Sequence, residues 1–168
     1  LLVIPIQNDL LLSDTQISLL QGFAFVFTYV LLSVPIGRLV DKFNRINIMI
    51  SGVIVWSITT FTCGLSRNFY ELFFARMGVG AGEAALSPAA WSVLADYFRP
   101  ERLSFPISIY LMGPYLGAGL AMILGAYVLD LTSGRDAIYI PLIGSLAPWQ
   151  LTFIIVSLPG IILSLIHI

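Results

Sequence analysis

Arg76 and Glu83 are charges in a stretch, Tyr70 to Tyr97, that is otherwise almost wholly apolar. Seven residues apart, they share one face of a helix and are separated by about 10.5 Å along its axis. A charge in such surroundings is costly unless it meets a water-filled cavity or a partner on another helix. A carboxyl held there feels two opposed influences. Loss of water favours its protonated form and a nearby cation its ionised form, so it is poised to bind and release a proton. Glu83 is therefore the candidate group for proton or substrate coupling. Arg76 is the candidate to tune it or to meet an anion. The competing use of the pair is structural, an ionic lock between helices.

Small residues surround these charges. Gly78, Gly80, Gly82, Ala84 and Ala85 precede Pro88. The four-residue spacings Gly78/Gly82 and Gly80/Ala84 let helices approach closely, and Pro88 removes a backbone donor and bends the helix. A dinucleotide-loop reading fails, because the third glycine of that pattern falls on Glu83 and no βαβ unit surrounds it. A second ladder, Gly113, Gly117, Ala121 and Gly125, has the same four-residue period. It is expected to form a close helix contact that slides or rocks, with bends at Pro106 and Pro114. Cys63 is a lone cysteine in an apolar run and reads as a packing residue.

A third group is polar and lies between apolar runs. Asp41 and Arg45 are four residues apart, Lys42 sits between them, and Asp96 ends the Tyr70 to Tyr97 stretch on the same side. Acid, base and acid at one mouth of a bundle make a state-dependent latch. The plainer reading, basic loops that only fix orientation, suits Lys42, Arg99 and Arg102 better than Asp41.

These residues need membrane-spanning helices to position them. The chain is 58% hydrophobic and 10% charged, against roughly 25% charged residues in ordinary soluble domains. The runs Gln16 to Ile36 and Ile46 to Ser66 carry no charge, and each is long enough to cross roughly 30 Å of hydrocarbon. Six apolar segments follow from the charges and turn residues: a tail at 1–6, then about 16–36, 46–66, 70–97, 103–129 and 148–168. All are expected to be helices, since lipid offers no partner to a free peptide group and the alternating strands of a barrel are absent. Arg38, Lys42, Arg45, Arg99 and Arg102 fall on one side, against Arg67 and Arg135 on the other, which puts the 37–47 and 98–103 loops in the cytoplasm. Tyr70, Tyr97 and Trp149 fall near the expected interfaces. With no initiator Met, an opening inside one apolar stretch and a stop inside another at Ile168, the chain is expected to be a fragment, and its last few residues, including His167, are not taken as native sequence.

Taken together, Gly37-Arg-Leu-Val-Asp41-Lys42-Phe-Asn44-Arg45 resembles the loop motif between the second and third helices of the major facilitator superfamily. Asn44 replaces the usual glycine and is tolerated as a residue that enters left-handed backbone more readily than most. Arg76 with Gly80, Gly82 and Ala84 resembles the family's fourth-helix motif, and Gly113-Pro114 with Gly117 partly resembles its fifth-helix motif. Gly80-Ala-Gly82-Glu83-Ala-Ala-Leu-Ser87-Pro88-Ala, Pro148-Trp149-Gln-Leu-Thr-Phe153 and Leu158-Pro159-Gly160 are similar to the Spinster-like branch.

The resemblance implies an all-α integral membrane protein, the N-terminal six-helix bundle of the major facilitator fold with its first helix mostly missing. It implies secondary active transport of a small organic or lipid-like solute by alternating access, coupled to protons. Arg76 and Glu83 would act in coupling and gating, and Asp41, Arg45 and Asp96 in the cytoplasmic latch. Animal members of the branch move lysolipids and sphingoid phosphates. The implied partners are that solute, protons, the bilayer and a C-terminal half, in a bacterial inner membrane. No cofactor, metal or nucleic acid is implied. An organic-anion symporter using Arg76, with Tyr29, Tyr110 and Tyr115 near the cavity, is the closest alternative. A non-transporting sensor on the same scaffold is another. A membrane enzyme is disfavoured, because the sequence holds one His and no Ser-His-acid or metal set.

Overall fold

The computed structural model describes residues 2–132, 137–141 and 143–166. Arg135 and His167 lie outside the described residues. The first element is α1, Val3–Asp9. A capping box at Ser13, closed by the Gln16 side chain, starts α2, Asp14–Ser18. A π-helical turn at Leu19–Phe23 follows, and the chain continues without a break into α3, Ala24–Val40. This 27-residue rod is long and apolar enough to cross a membrane, as are α4, Arg45–Leu65, and α7, Ser104–Leu131.

The fourth apolar segment is two helices. α5 covers Phe69–Glu83 and α6 covers Leu86–Tyr97. Pro88 has no N–H for the Ala84 carbonyl four residues back. The Ala85 N–H turns to Gly82 at 3.3 Å, so the rod is interrupted at Ala84 and Ala85. α7, by contrast, runs on through Pro114. Pro106, expected to bend it, sits in its first turn, where a backbone N–H has no partner within the helix in any case. α8 spans Pro148–Ile166. The connection before it holds a short antiparallel hairpin, β1 Ile138–Ile140 and β2 Gly144–Leu146, turning through Gly144 at φ +96°.

Glycine spacing decides how α5 packs. Residues two apart on a helix point to nearly opposite sides, while residues four apart share one. A Cβ on Gly82 would stand 2.7 Å from the Gly52 carbonyl of α4, and one on Gly78 would stand 2.5 Å from Thr59 Cγ2. A Cβ on Gly80 would meet the Phe25 carbonyl of α3 on the other side. α5 is thus held between α4 and α3 at backbone distance. α8 closes on α4 in the same manner, with Gly64 against Gln150 and Ile154, and Gly160 against Ser57.

The core gathers Ile6, Ile17, Leu20, Leu72, Val79 and Trp149. Trp149 is only 1% exposed. Its ring packs edge-on to Phe153 and its Nε1 donates to Asp9 Oδ2 at 2.8 Å. The ring is buried against other helices while its polar edge reaches the exposed carboxylate of Asp9. Tyr70 and Tyr97 are largely exposed.

Candidate functional site

Thr28 Oγ1 of α3 donates to the Met77 carbonyl of α5 at 2.8 Å, beside the close approach at Gly80. That contact sets the depth of Arg76, one residue earlier on α5. Arg76 is half-buried, its Nε donates to the Leu20 carbonyl at 3.4 Å, and its Cζ lies 5.9 Å from the centre of the Phe25 ring. It lines a cavity of about 240 Å³ together with Leu20, Gln21, Gly125, Thr152 and Phe153. Among the described residues no carboxylate forms an ion pair with Arg76.

Glu83 is the last residue of α5, at the interruption, and is also half-buried. It makes no hydrogen bond or ion pair with any described residue. The two charges that share a face are too far apart for a direct bond.

One helical turn beyond Glu83, the Ser87 hydroxyl lies 3.5 Å from Tyr29 OH and 3.3 Å from Tyr110 OH. Three hydroxyls from α3, α6 and α7 thus meet. Most other serines and threonines in these helices bond back to a carbonyl three or four residues earlier; Ser87 instead faces other side chains. Sequence reasoning named Ser87 only within the Spinster-like run and gave it no role, although its place four residues after Glu83 and before Pro88 was the available signal. Tyr115 is 82% exposed and stands apart from this group.

At the loop before α4, Arg45 Nη1 is paired with Asp96 Oδ2 of α6. Asp41 and Lys42 line the same cavity, of about 360 Å³, with Arg45, Asp96 and Tyr97. The Asp41 carboxylate has no ion-pair partner among the described residues. Gly37 has open space around it. Asn44 departs from expectation: its backbone is extended, at φ −63° and ψ 116°, and its side chain accepts from the N–H groups of Ile46 and Asn47. It caps α4, a role glycine fills without a side chain.

The fifth-helix ladder also departs from expectation. A Cβ on Gly113 or Gly117 would meet nothing within 4 Å, and only Gly125 comes near a neighbour, Thr152 Cγ2 at 3.7 Å. Among the described residues no helix lies against the stripe at Gly113, Pro114 and Gly117.

The sequence model described as Major Facilitator Superfamily matches residues 1–168. The chain is 33% identical over 161 residues to Protein spinster homolog 3 of Danio rerio, covering 94% of this chain and 32% of that protein. It is 29% identical over 161 residues to an MFS-type efflux pump of Mycolicibacterium smegmatis, covering 95% and 34%. With Sphingosine-1-phosphate transporter SPNS2 of Xenopus tropicalis it shares 31% identity over 128 residues, 75% of this chain and 25% of that one. Among solved structures, a bacterial homolog to the human lysosomal transporter Spinster matches at 34% identity over 99% of this chain. In its inward-facing, unoccupied conformation the TM-score is 0.79 over 37% of that chain, and in the inward-facing, occupied conformation it is 0.77 over 38%. The chain spans about a third of the length of the curated relatives it matches.

Proposed function

The chain belongs to the major facilitator superfamily, similar to its Spinster-like branch, and on that premise we propose that it is the N-terminal half of a secondary transporter for a small organic or lipid-like solute. The two halves rock to open the site to either side of the membrane in turn. Glu83 binds and releases the coupling proton, Arg76 tunes it or meets the solute, and Arg45 with Asp96 latches the cytoplasmic mouth. The membrane is proposed to be a bacterial inner membrane.

The observation that carries this reading is the position of Glu83. It is an acid with no bonded partner among the described residues, half-buried at the interruption of a helix clamped on both sides, and interrupted helices are what secondary transporters use at their binding sites. The test uses the complete transporter in liposomes. Uptake of a panel of lysolipids and organic anions is followed with and without a proton gradient, for wild type and Glu83→Gln. Gradient-dependent accumulation that the variant loses supports the assignment. Gradient-independent uptake, equal in both, leaves Glu83 structural and the protein a uniporter, and no flux of any solute favours a sensor.

A second reading is an organic-anion symporter. It is favoured by the Arg76 guanidinium, which meets a carbonyl and an aromatic ring but no counter-ion among the described residues.

A further inference from the structure

Ser87 stands in the first turn of α6 and Asp96 in the last, nine residues on. Nine residues turn a helix through roughly two and a half circles and rise about 13.5 Å, so the two side chains leave opposite faces. Asp96 is paired with Arg45 at the start of α4. The Ser87 hydroxyl lies between Tyr29 of α3 and Tyr110 of α7. α6 is therefore held by polar contacts at both ends and from opposite sides.

The two tyrosines belong to different bodies. Tyr29 is part of the clamp around α5: its ring stacks on Phe25 with centroids 5.8 Å apart, and Phe25 lies at the close approach to Gly80. Tyr110 belongs to α7, which follows α6 after the short link 98–103. Its contact with Ser87 crosses from one arm of a helical hairpin to the other. The Tyr29 contact fastens that hairpin to the clamped body.

We propose that the Tyr29–Ser87 contact is a second, uncharged latch, which works with Arg45–Asp96 to hold the α6–α7 hairpin shut against α3 and α4. This rests on the reading that the cytoplasmic mouth opens and closes. A serine hydroxyl carries one proton, so Ser87 donates to one tyrosine while it accepts from the other. At 3.5 and 3.3 Å both contacts are longer than the roughly 2.8 Å usual between hydroxyls. Contacts of that length hold weakly, which suits a fastening that is made and released in each cycle. Because the two latches grip opposite faces of α6, one does not substitute for the other, and their effects on opening multiply. They also differ in kind. Salt screens the ion pair and leaves the hydroxyls untouched.

The test uses the complete transporter on a cysteine-free background, spin-labelled at Phe43→Cys and Glu101→Cys, two exposed positions. The labels report the distance from the loop before α4 to the link between α6 and α7. Two populations, near and apart, are expected. Ser87→Ala should raise the apart-to-near ratio about threefold, and Tyr29→Phe by the same factor. Tyr29→Phe should add nothing once Ser87 is replaced, because both changes remove one bond. Tyr110→Phe should leave the ratio unchanged or lower it, since Ser87 is then free to give its proton to Tyr29. High salt should multiply the Ser87→Ala effect. Opening by Tyr110→Phe as large as by Tyr29→Phe, or additive effects of Ser87→Ala and Tyr29→Phe, refutes a latch at this contact. Two populations that answer to salt and ignore Ser87→Ala overturn the second latch alone. A single population that neither salt nor Asp96→Asn moves overturns the opening of the mouth on which the latch rests.

Discussion

Thr28 and Gly80 face each other across the α3–α5 interface so closely that a Cβ on Gly80 would stand 2.6 Å from Thr28 Oγ1. Overpacking at such a contact costs about 1–3 kcal/mol. Gly80→Ala is therefore expected to lower the thermal unfolding midpoint of the purified protein by several degrees, and Gly80→Leu to prevent folding. A Gly80→Leu protein as stable as wild type would mean that α3 and α5 are not held at this distance.

The open face of α7 gives the opposite expectation. A Cβ on Gly117 would meet nothing within 4 Å among the described residues, so with Gly117→Leu expression and unfolding temperature of this half should stay near wild type. If the stripe packs against the other half of a transporter, uptake should fall at least tenfold in the complete protein. Unchanged uptake would leave the stripe facing lipid.

Arg45 and Asp96 are partly exposed, and such pairs contribute about 0.2–1 kcal/mol. Asp96→Asn should shift the balance between cytoplasm-open and cytoplasm-closed forms by no more than about fivefold, towards open. Exchange of the two residues, Arg45→Asp with Asp96→Arg, should restore it. Spin-label distances across the cytoplasmic mouth measure the shift, and high salt should mimic the variant.

Trp149 and Asp9 tie the start of α8 to the end of α1. Trp149→Phe keeps most of the packing but leaves the carboxylate without its indole donor. A destabilisation of about 1–3 kcal/mol is expected, read from heat unfolding. Asp9→Asn keeps an acceptor oxygen and should cost less.

The helices were legible in the sequence because charge and length in lipid leave few alternatives. The clamp on α5 was legible as well, since Gly78, Gly80 and Gly82 state by their spacing that two sides of one helix are approached. The interruption at Ala84 and Ala85 was announced by Pro88. What was hidden has a common cause: it depends on partners far along the chain. Nothing in Leu19-Leu-Gln-Gly-Phe23 distinguishes a π turn from an α turn, because the carbonyl it frees is claimed by Arg76, 56 residues later. The depth of Trp149 depends on Asp9, 140 residues away. Ser87 meets Tyr29 and Tyr110 from two other helices. Asn44 was misread for a local reason, since an asparagine suits both left-handed backbone and an N-cap, and the start of α4 decided between them.

The interruption between α5 and α6 has a mechanical meaning. A continuous helix is a stiff shaft, so whatever tilts one end tilts the other. Here the shaft is jointed. Asp96, at the far end of α6, rides on a segment whose α-helical hydrogen bonding to α5 is weakened, because the Ala85 N–H closes on Gly82 and Pro88 has no N–H to give. Arg76 rides on a segment gripped from both sides. A tilt of α6 is therefore not carried in full to the Arg76 end of α5, and Glu83 sits at the knuckle between them.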